Sequence, residues 1–356
     1  MEDRRTIFWC AILALSLLLA SPLAAKPAPT LEVRNIATDW LTFWDATKGQ
    51  PTPERVAVFK RDVASKFSAF YAASRFSDAG DPSKQDARIA RAIDQFAPIR
   101  DAYAAKVAGF AAASARNNAS FLRAFPDFRP AAPVWLLHGL GEMDGGTREL
   151  GGTSYLIFAA DGMVRFHGAG FRSESAFFHH ELFHLYHEPR LGPCEAVWCS
   201  LWIEGLATHV AKVLNPDGNE AELLLNLPDD MAAATRAKLL PSLQALKPVL
   251  MSRDEGVYSE LFQNGDGKAA SGLPLRRGYY LGYLVAQEIG KTHSLRAMAT
   301  MPAAQAKPLV EGAVQALTMR ALVREIVDPP WGGATATPPE GPPRKPAIID
   351  PASLPR

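Results

Sequence analysis

Two histidines and a glutamate stand together in the segment His180-Glu181-Leu182-Phe183-His184. On a helix, four residues make slightly more than one turn, so both imidazoles project from one face and can grip one metal ion without backbone strain. Glu181 falls about 100 degrees round from His180, beside that face rather than on it. From there a carboxylate reaches a water held by the metal but is poorly placed as a ligand. The chemistry predicted is metal-assisted hydrolysis, with Glu181 taking the proton of the attacking water. His179 and His187 offer a competing arrangement, because His184 and His187 are an i, i+3 pair. A histidine patch of that kind binds metal without catalysis.

Two helices must position these groups. Phe177, Phe178, Leu182, Phe183, Leu185 and Tyr186 make the first apolar nearly all round, which predicts that it runs through the core. Ser173 is its expected N-cap, Glu174 suits the positive end of its dipole, and Pro189 is expected to bar continuation, giving a helix over about 174–186. Buried histidines beside a glutamate need a partner to offset desolvation, and a divalent cation supplies one. The second helix, expected over 201–214 with Ser200 as its cap, places Glu204 after nineteen residues intervening from His184. Glu204, Ala207, Thr208 and Ala211 share one face, and its three small residues allow close approach to the first helix. Trp202, Ile203 and Leu206 around Glu204 predict burial rather than a solvent-facing carboxylate.

HELFH followed by WIEGLATHVA resembles the gluzincin metallopeptidases. The resemblance implies that Zn2+ is held by His180, His184 and Glu204, and that Glu181 activates water. Another zincin branch has Gly three residues after the second histidine and His three further on; His187 and Arg190 occupy those places here, which excludes it. Together with Gly278-Tyr279-Tyr280-Leu281-Gly282-Tyr283, the chain is more narrowly similar to a group of bacterial predicted zinc-dependent proteases, over roughly residues 152–290. The resemblance further implies that the strand 154–158 lies beside the cleft and pairs with extended substrate. It also implies an oxyanion-stabilising tyrosine or histidine, with Tyr279 first and Tyr280 and Tyr283 behind it. In the best-known gluzincins an aspartate four residues after the glutamate ligand orients a zinc histidine. Thr208 stands there instead, leaving that task to His209, another carboxylate or backbone carbonyls.

The rest of the chain predicts an α+β fold, mostly helical and zincin-like, with short strands packed on the active-site helix. Val56, Phe59, Val63, Phe67 and Phe70 recur at threes and fours, as do Tyr103, Val107 and Phe110, so the region of about 30–125 reads as helical. Asp81-Pro82 interrupts it. Strands are expected at 134–137, 154–158 and 163–166, the last two joined by an Asp161-Gly162 turn. The glycine-rich stretch 138–152 lacks the lysine and Ser/Thr of a phosphate loop and reads as turns and a hairpin. Further helices are expected over 231–246, 279–289 and 308–326. The segment 329–356 holds nine of the 28 prolines and reads as an extended, disordered tail, leaving 26–328 as the catalytic domain.

Arg4 and Arg5, an apolar run over 7–20 and Ser-Pro-Leu-Ala-Ala before Lys26 have the layout of a secretory signal peptide over 1–25. That run is short of the roughly 20 residues a membrane span needs. A periplasmic or secreted protein is therefore expected, without a stable span in the mature chain. In such a compartment Cys194 and Cys199 read as a disulfide, and Asn118-Ala119-Ser120 fits a glycosylation sequon. A net charge of +1 and no basic stripe with interleaved aromatics argue against a nucleic-acid partner. Peptide or protein is the expected substrate. Two rivals share the residues: a zinc hydrolase of a non-peptide bond, and a non-catalytic zinc-binding module.

Overall fold

Aromatic residues draw the N-terminal helices onto a small sheet. The computed structural model describes residues 31–76, 80–167, 171–228, 230–263, 269 and 271–327. The expected signal peptide and the proline-rich tail lie outside the described residues. The first strand, β1 (Val33–Asn35), is followed by α1 (Ala37–Ala46), α2 (Thr52–Asp62), α3 (Pro82–Asp94) and α4 (Arg100–Ala124). Asp81 caps α3, its carboxylate accepting from the Ser83 amide at 2.9 Å with Pro82 at the first helical position. Trp40 of α1 lies at ring-centroid distances of 5.4 Å from both Phe59 and Phe96, and stacks on His138 at 3.5 Å. These rings seat the helices on the following strands.

Strands β2 (Val134–Leu137), β3 (Gly145–Leu150) and β4 (Thr153–Ala159) complete a four-stranded sheet of order β1-β2-β4-β3. β1 and β2 are parallel, as are β2 and β4, with Trp135 opposite Ile157. β3 and β4 form the antiparallel hairpin expected from the glycine-rich stretch, with Gly146 opposite Ile157 and the turn at Gly151-Gly152. β1 was not expected. Three residues are too few to show a period, and only their pairing with β2 makes them a strand.

The expected third strand at 163–166 is instead part of a helix, α5 (Ala160–Phe166). Asp161 accepts hydrogen bonds from the amides of Gly139 at 2.6 Å and Gly141 at 2.9 Å, which ties the start of α5 to the loop after β2. Gly162 sits so close to that loop that a Cβ there would stand 1.9 Å from the Met143 carbonyl oxygen. Asp161-Gly162 is thus the first turn of a helix, not a hairpin turn. Asn118 is buried in α4, which removes the sequon from glycan attachment.

The remaining helices are α6 (Ser175–Leu191), α7 (Val197–Leu214), α8 (Met231–Ala237), α9 (Leu239–Leu246), α10 (Glu255–Phe262), α11 (Arg277–Ile289), α12 (Leu295–Ala299) and α13 (Ala303–Val327). Pro189 does not end α6. It lies in the last turn, where only the bond to the Leu185 carbonyl is lost, and Gly192, at φ 81°, provides the stop. The cap of α6 is Glu174 rather than Ser173, whose hydroxyl accepts from the Ser175 amide at 3.2 Å. Likewise α7 begins three residues before Ser200, because the Val197 and Trp198 amides are bonded to the carbonyls of Ser252 and Leu250. The helix expected over 231–246 is broken at Lys238, and α13 starts five residues before Pro308. One hydrophobic core runs from Ile36 to Ala321 and encloses both α6 and α7. Among the described residues, no helix is long and apolar enough to cross a membrane. The architecture is α+β and mostly helical, as the sequence predicts.

Candidate metal centre

α6 and α7 pack side by side, and their buried faces bring three predicted residues to one point. His180 Nε2 lies 3.2 Å and His184 Nε2 3.6 Å from the same oxygen, Glu204 Oε2. One ligand atom from each of the three falls within 4.8 Å of the others. Two imidazole nitrogens and a carboxylate oxygen converging in this way could hold a divalent cation, with room left for a fourth ligand. Ala207, Thr208 and Ala211 are buried along α7, so the small-residue face does lie inward.

The charges respond to one another strongly. Burial alone would pull the His184 imidazole down, but the carboxylates of Glu204, Glu188 and Glu181 outweigh it and push it up to about 10. Burial raises the Glu204 carboxyl, and the His184 and His180 charges overcome it, leaving it below the usual carboxylate range. Glu181 differs. Its burial dominates over both histidines, and with Glu204 and Asp144 nearby its carboxyl is raised.

All four groups line a cleft of about 780 Å³. Tyr279, at the start of α11, lines it as well, and its hydroxyl makes no hydrogen bond among the described residues. Burial, and then the Glu204 charge, push its phenol well up, so it stays a donor. Tyr280 and Tyr283 face elsewhere: the Tyr280 hydroxyl accepts from Arg236 Nε at 3.1 Å, and that of Tyr283 accepts from Gln287 at 2.9 Å. α11 reaches the site because it crosses α7 at Gly205 and Gly282, where the two backbones touch.

The competing histidines are spoken for. His179 Nε2 is 3.1 Å from the Asn117 carbonyl, with Asn215 on its other nitrogen, and His187 Nδ1 is 2.9 Å from the Ala299 carbonyl. Burial lowers His187 to about 4, so it stays neutral in the core. Thr208 donates to the Glu204 carbonyl at 2.9 Å, and His209 lies towards Gly290 and Tyr283. The group beside a site histidine is Glu188, whose Oε1 stands 3.1 Å from His184 Nδ1, close but off the angle of a good hydrogen bond. It is an i, i+4 neighbour of His184, a spacing visible in the sequence. Asp144 and Arg276 were also not expected in the cleft, and nothing in their local sequence marks them.

The strand expected beside the cleft reaches it through Ser154 but is not placed to pair with substrate. β4 has β2 on one edge and β3 on the other, so it has no free edge for substrate. The free edge on the cleft belongs to β3, whose residues Gly145 to Glu149 line it. Cys194 and Cys199 are joined in a disulfide between the end of α6 and the first turn of α7. Comparison with family models, curated protein sequences and solved structures finds no match to this chain.

Proposed function

We propose that the protein is an exported zinc-dependent metallopeptidase with a zincin-like fold of gluzincin type. The observation that carries this reading is the convergence of His180 and His184 on one oxygen of Glu204, with buried Glu181 in the same cleft. The donor set, two imidazoles and one carboxylate with an open fourth position, suits catalytic zinc. When bound, zinc lowers the pKa of a water and polarises a carbonyl. Glu181, buried in the same cleft, would take the water's proton and deliver it to the leaving amine. Tyr279 donates to the oxygen that gains charge in the transition state. The free edge of β3 accepts an extended peptide by backbone pairing. The disulfide and the N-terminal sequence support an oxidising compartment outside the cytoplasm, periplasmic or secreted.

Metal analysis and peptide hydrolysis of three proteins test the reading. One zinc per chain is expected in the wild type and in Glu181→Gln, and none in His184→Ala. Hydrolysis is expected in the wild type alone, with Glu181→Gln slowed on the order of 10²–10⁴-fold. A wild type that takes up no zinc, or Glu181→Gln cleaving at the wild-type rate, overturns it.

A further inference from the structure

Arg276 lines the same cleft and has no part in the hydrolytic chemistry described above. It sits immediately before α11 with φ 57°, a left-handed conformation that side-chain-bearing residues seldom adopt. Its guanidinium lies over the Tyr279 ring, with Cζ 4.7 Å from the centroid. Nε is buried and makes no hydrogen bond, and among the described residues no carboxylate forms an ion pair with this side chain.

Its neighbours behave differently. Arg277, the next residue, is buried and fastened to Glu260 at 2.6 Å and to the Pro274 carbonyl at 3.1 Å. Arg148, the other arginine of the cleft, is held by Glu142 at 3.1 Å. The folding role in this stretch therefore falls to Arg277, and among the described residues the Arg276 guanidinium has no acceptor on the cleft wall beside Tyr279. A guanidinium held by stacking, with donors free, is shaped for bidentate contact with a carboxylate.

We propose that Arg276 binds a carboxylate of the substrate on the Tyr279 side of the cleft, so that the protein prefers peptides carrying a carboxylate next to the scissile bond. This rests on the peptidase reading. The carboxylate has two possible sources, a free C-terminus or an aspartate or glutamate side chain.

Binding separates these without relying on turnover. Zinc-loaded Glu181→Gln protein is titrated calorimetrically with pooled N-acetyl tripeptides as free acids, as C-terminal amides, and as amides containing one Asp or Glu. Free acids bound at least about tenfold more tightly than plain amides identify the C-terminal carboxylate. The same preference for the acidic amides identifies a side chain. Adding Arg276→Ala is expected to erase the preference, and Arg276→Lys to keep part of it, both with unchanged zinc content. Equal binding of acids and amides, a preference that survives Arg276→Ala, or no binding by any pool overturns the proposal. The peptidase reading fails on a different result, the absence of hydrolysis by the zinc-loaded wild type.

Discussion

Gly205 and Gly282 meet backbone to backbone where α7 crosses α11, so closely that a Cβ on Gly205 would stand 2.1 Å from the Gly282 carbonyl carbon. The contact places Glu204, one residue before the first glycine, and Tyr279, three before the second, on a common cleft. Two glycines thus fix the spacing between a proposed ligand and a proposed oxyanion donor.

Alanine is the better helix former by about 1 kcal/mol, yet the atoms it would strike at Gly205 are backbone and cannot rotate away. Gly205→Ala is expected to cost about 1–3 kcal/mol net, read as a lower melting temperature, and to weaken zinc binding as the helices separate. Gly312→Ala in α13, where an added Cβ meets nothing within 4 Å, is the control and should stabilise by up to about 1 kcal/mol. Equal melting temperatures for the two variants would refute the close-contact account.

Tyr279→Phe removes a donor without changing the ring that Arg276 covers. kcat should fall on the order of 10²–10³-fold with KM little changed. Tyr280→Phe and Tyr283→Phe, whose hydroxyls are bonded to Arg236 and Gln287 away from the cleft, should stay within a few-fold of wild type. Equal losses in all three would withdraw the role from Tyr279.

Glu188→Gln keeps the shape of the side chain and removes its charge from beside His184 Nδ1. Zinc affinity is expected to drop about 10–100-fold, measured by competition with a chelator. Unchanged affinity would show that the His184 ring is oriented without the Glu188 carboxylate.

His167 joins the cleft wall to the start of α6: Nε2 lies 3.2 Å from Asp144 Oδ2 and Nδ1 2.9 Å from Glu174 Oε2. Burial lowers its pKa, but Asp144 and Glu174 prevail and raise it above the ordinary 6.5. A raised histidine stabilises fully below its unfolded value and loses that contribution as pH rises through the folded one. The gap in melting temperature between wild type and His167→Gln should therefore be widest below pH 6.5 and narrow as the pH is raised beyond it. A gap that widens with pH would contradict the charged bridge.

The sequence was most informative where a period and a chemical need coincide. His180, Glu181 and His184 are legible because helix spacing alone decides which face each occupies, and Glu204 through its spacing from His184, the small residues on its face and the resemblance to gluzincins together. β1 and α5 were illegible for one reason: segments of three or four residues are too short to show a period, and partners distant in sequence decide. β2 makes the strand, and the amides of Gly139 and Gly141, held by Asp161, make the helix. The start of α7 moved because tertiary bonds, such as Val197 to Ser252, outweigh the local start signal, whereas α6 ran past Pro189 to the local stop at Gly192. Arg276 could not be found from sequence at all. Its proposed role rests on the lack of a side-chain partner among the described residues, and adjacent Arg277 has the same side chain in a structural role.

Where β3 passes Glu181 it offers only main chain. At Gly146, φ 143°, an added Cβ would lie 4.0 Å from Glu181 Oε2 and 3.3 Å from the Arg148 guanidinium. At Gly145 it would meet the Phe177 ring at 2.6 Å. Under the proposed peptidase reading, these two glycines would meet a peptide with amides and carbonyls alone. Side chains able to discriminate between ligands line the rest of the cleft: Thr147, Arg148 and Glu149 further along β3, and Leu227, Arg276 and Tyr279. The two glycines are therefore the positions of this wall with no side chain to exchange, and attempts to redirect a preference belong at the side-chain-bearing positions around them.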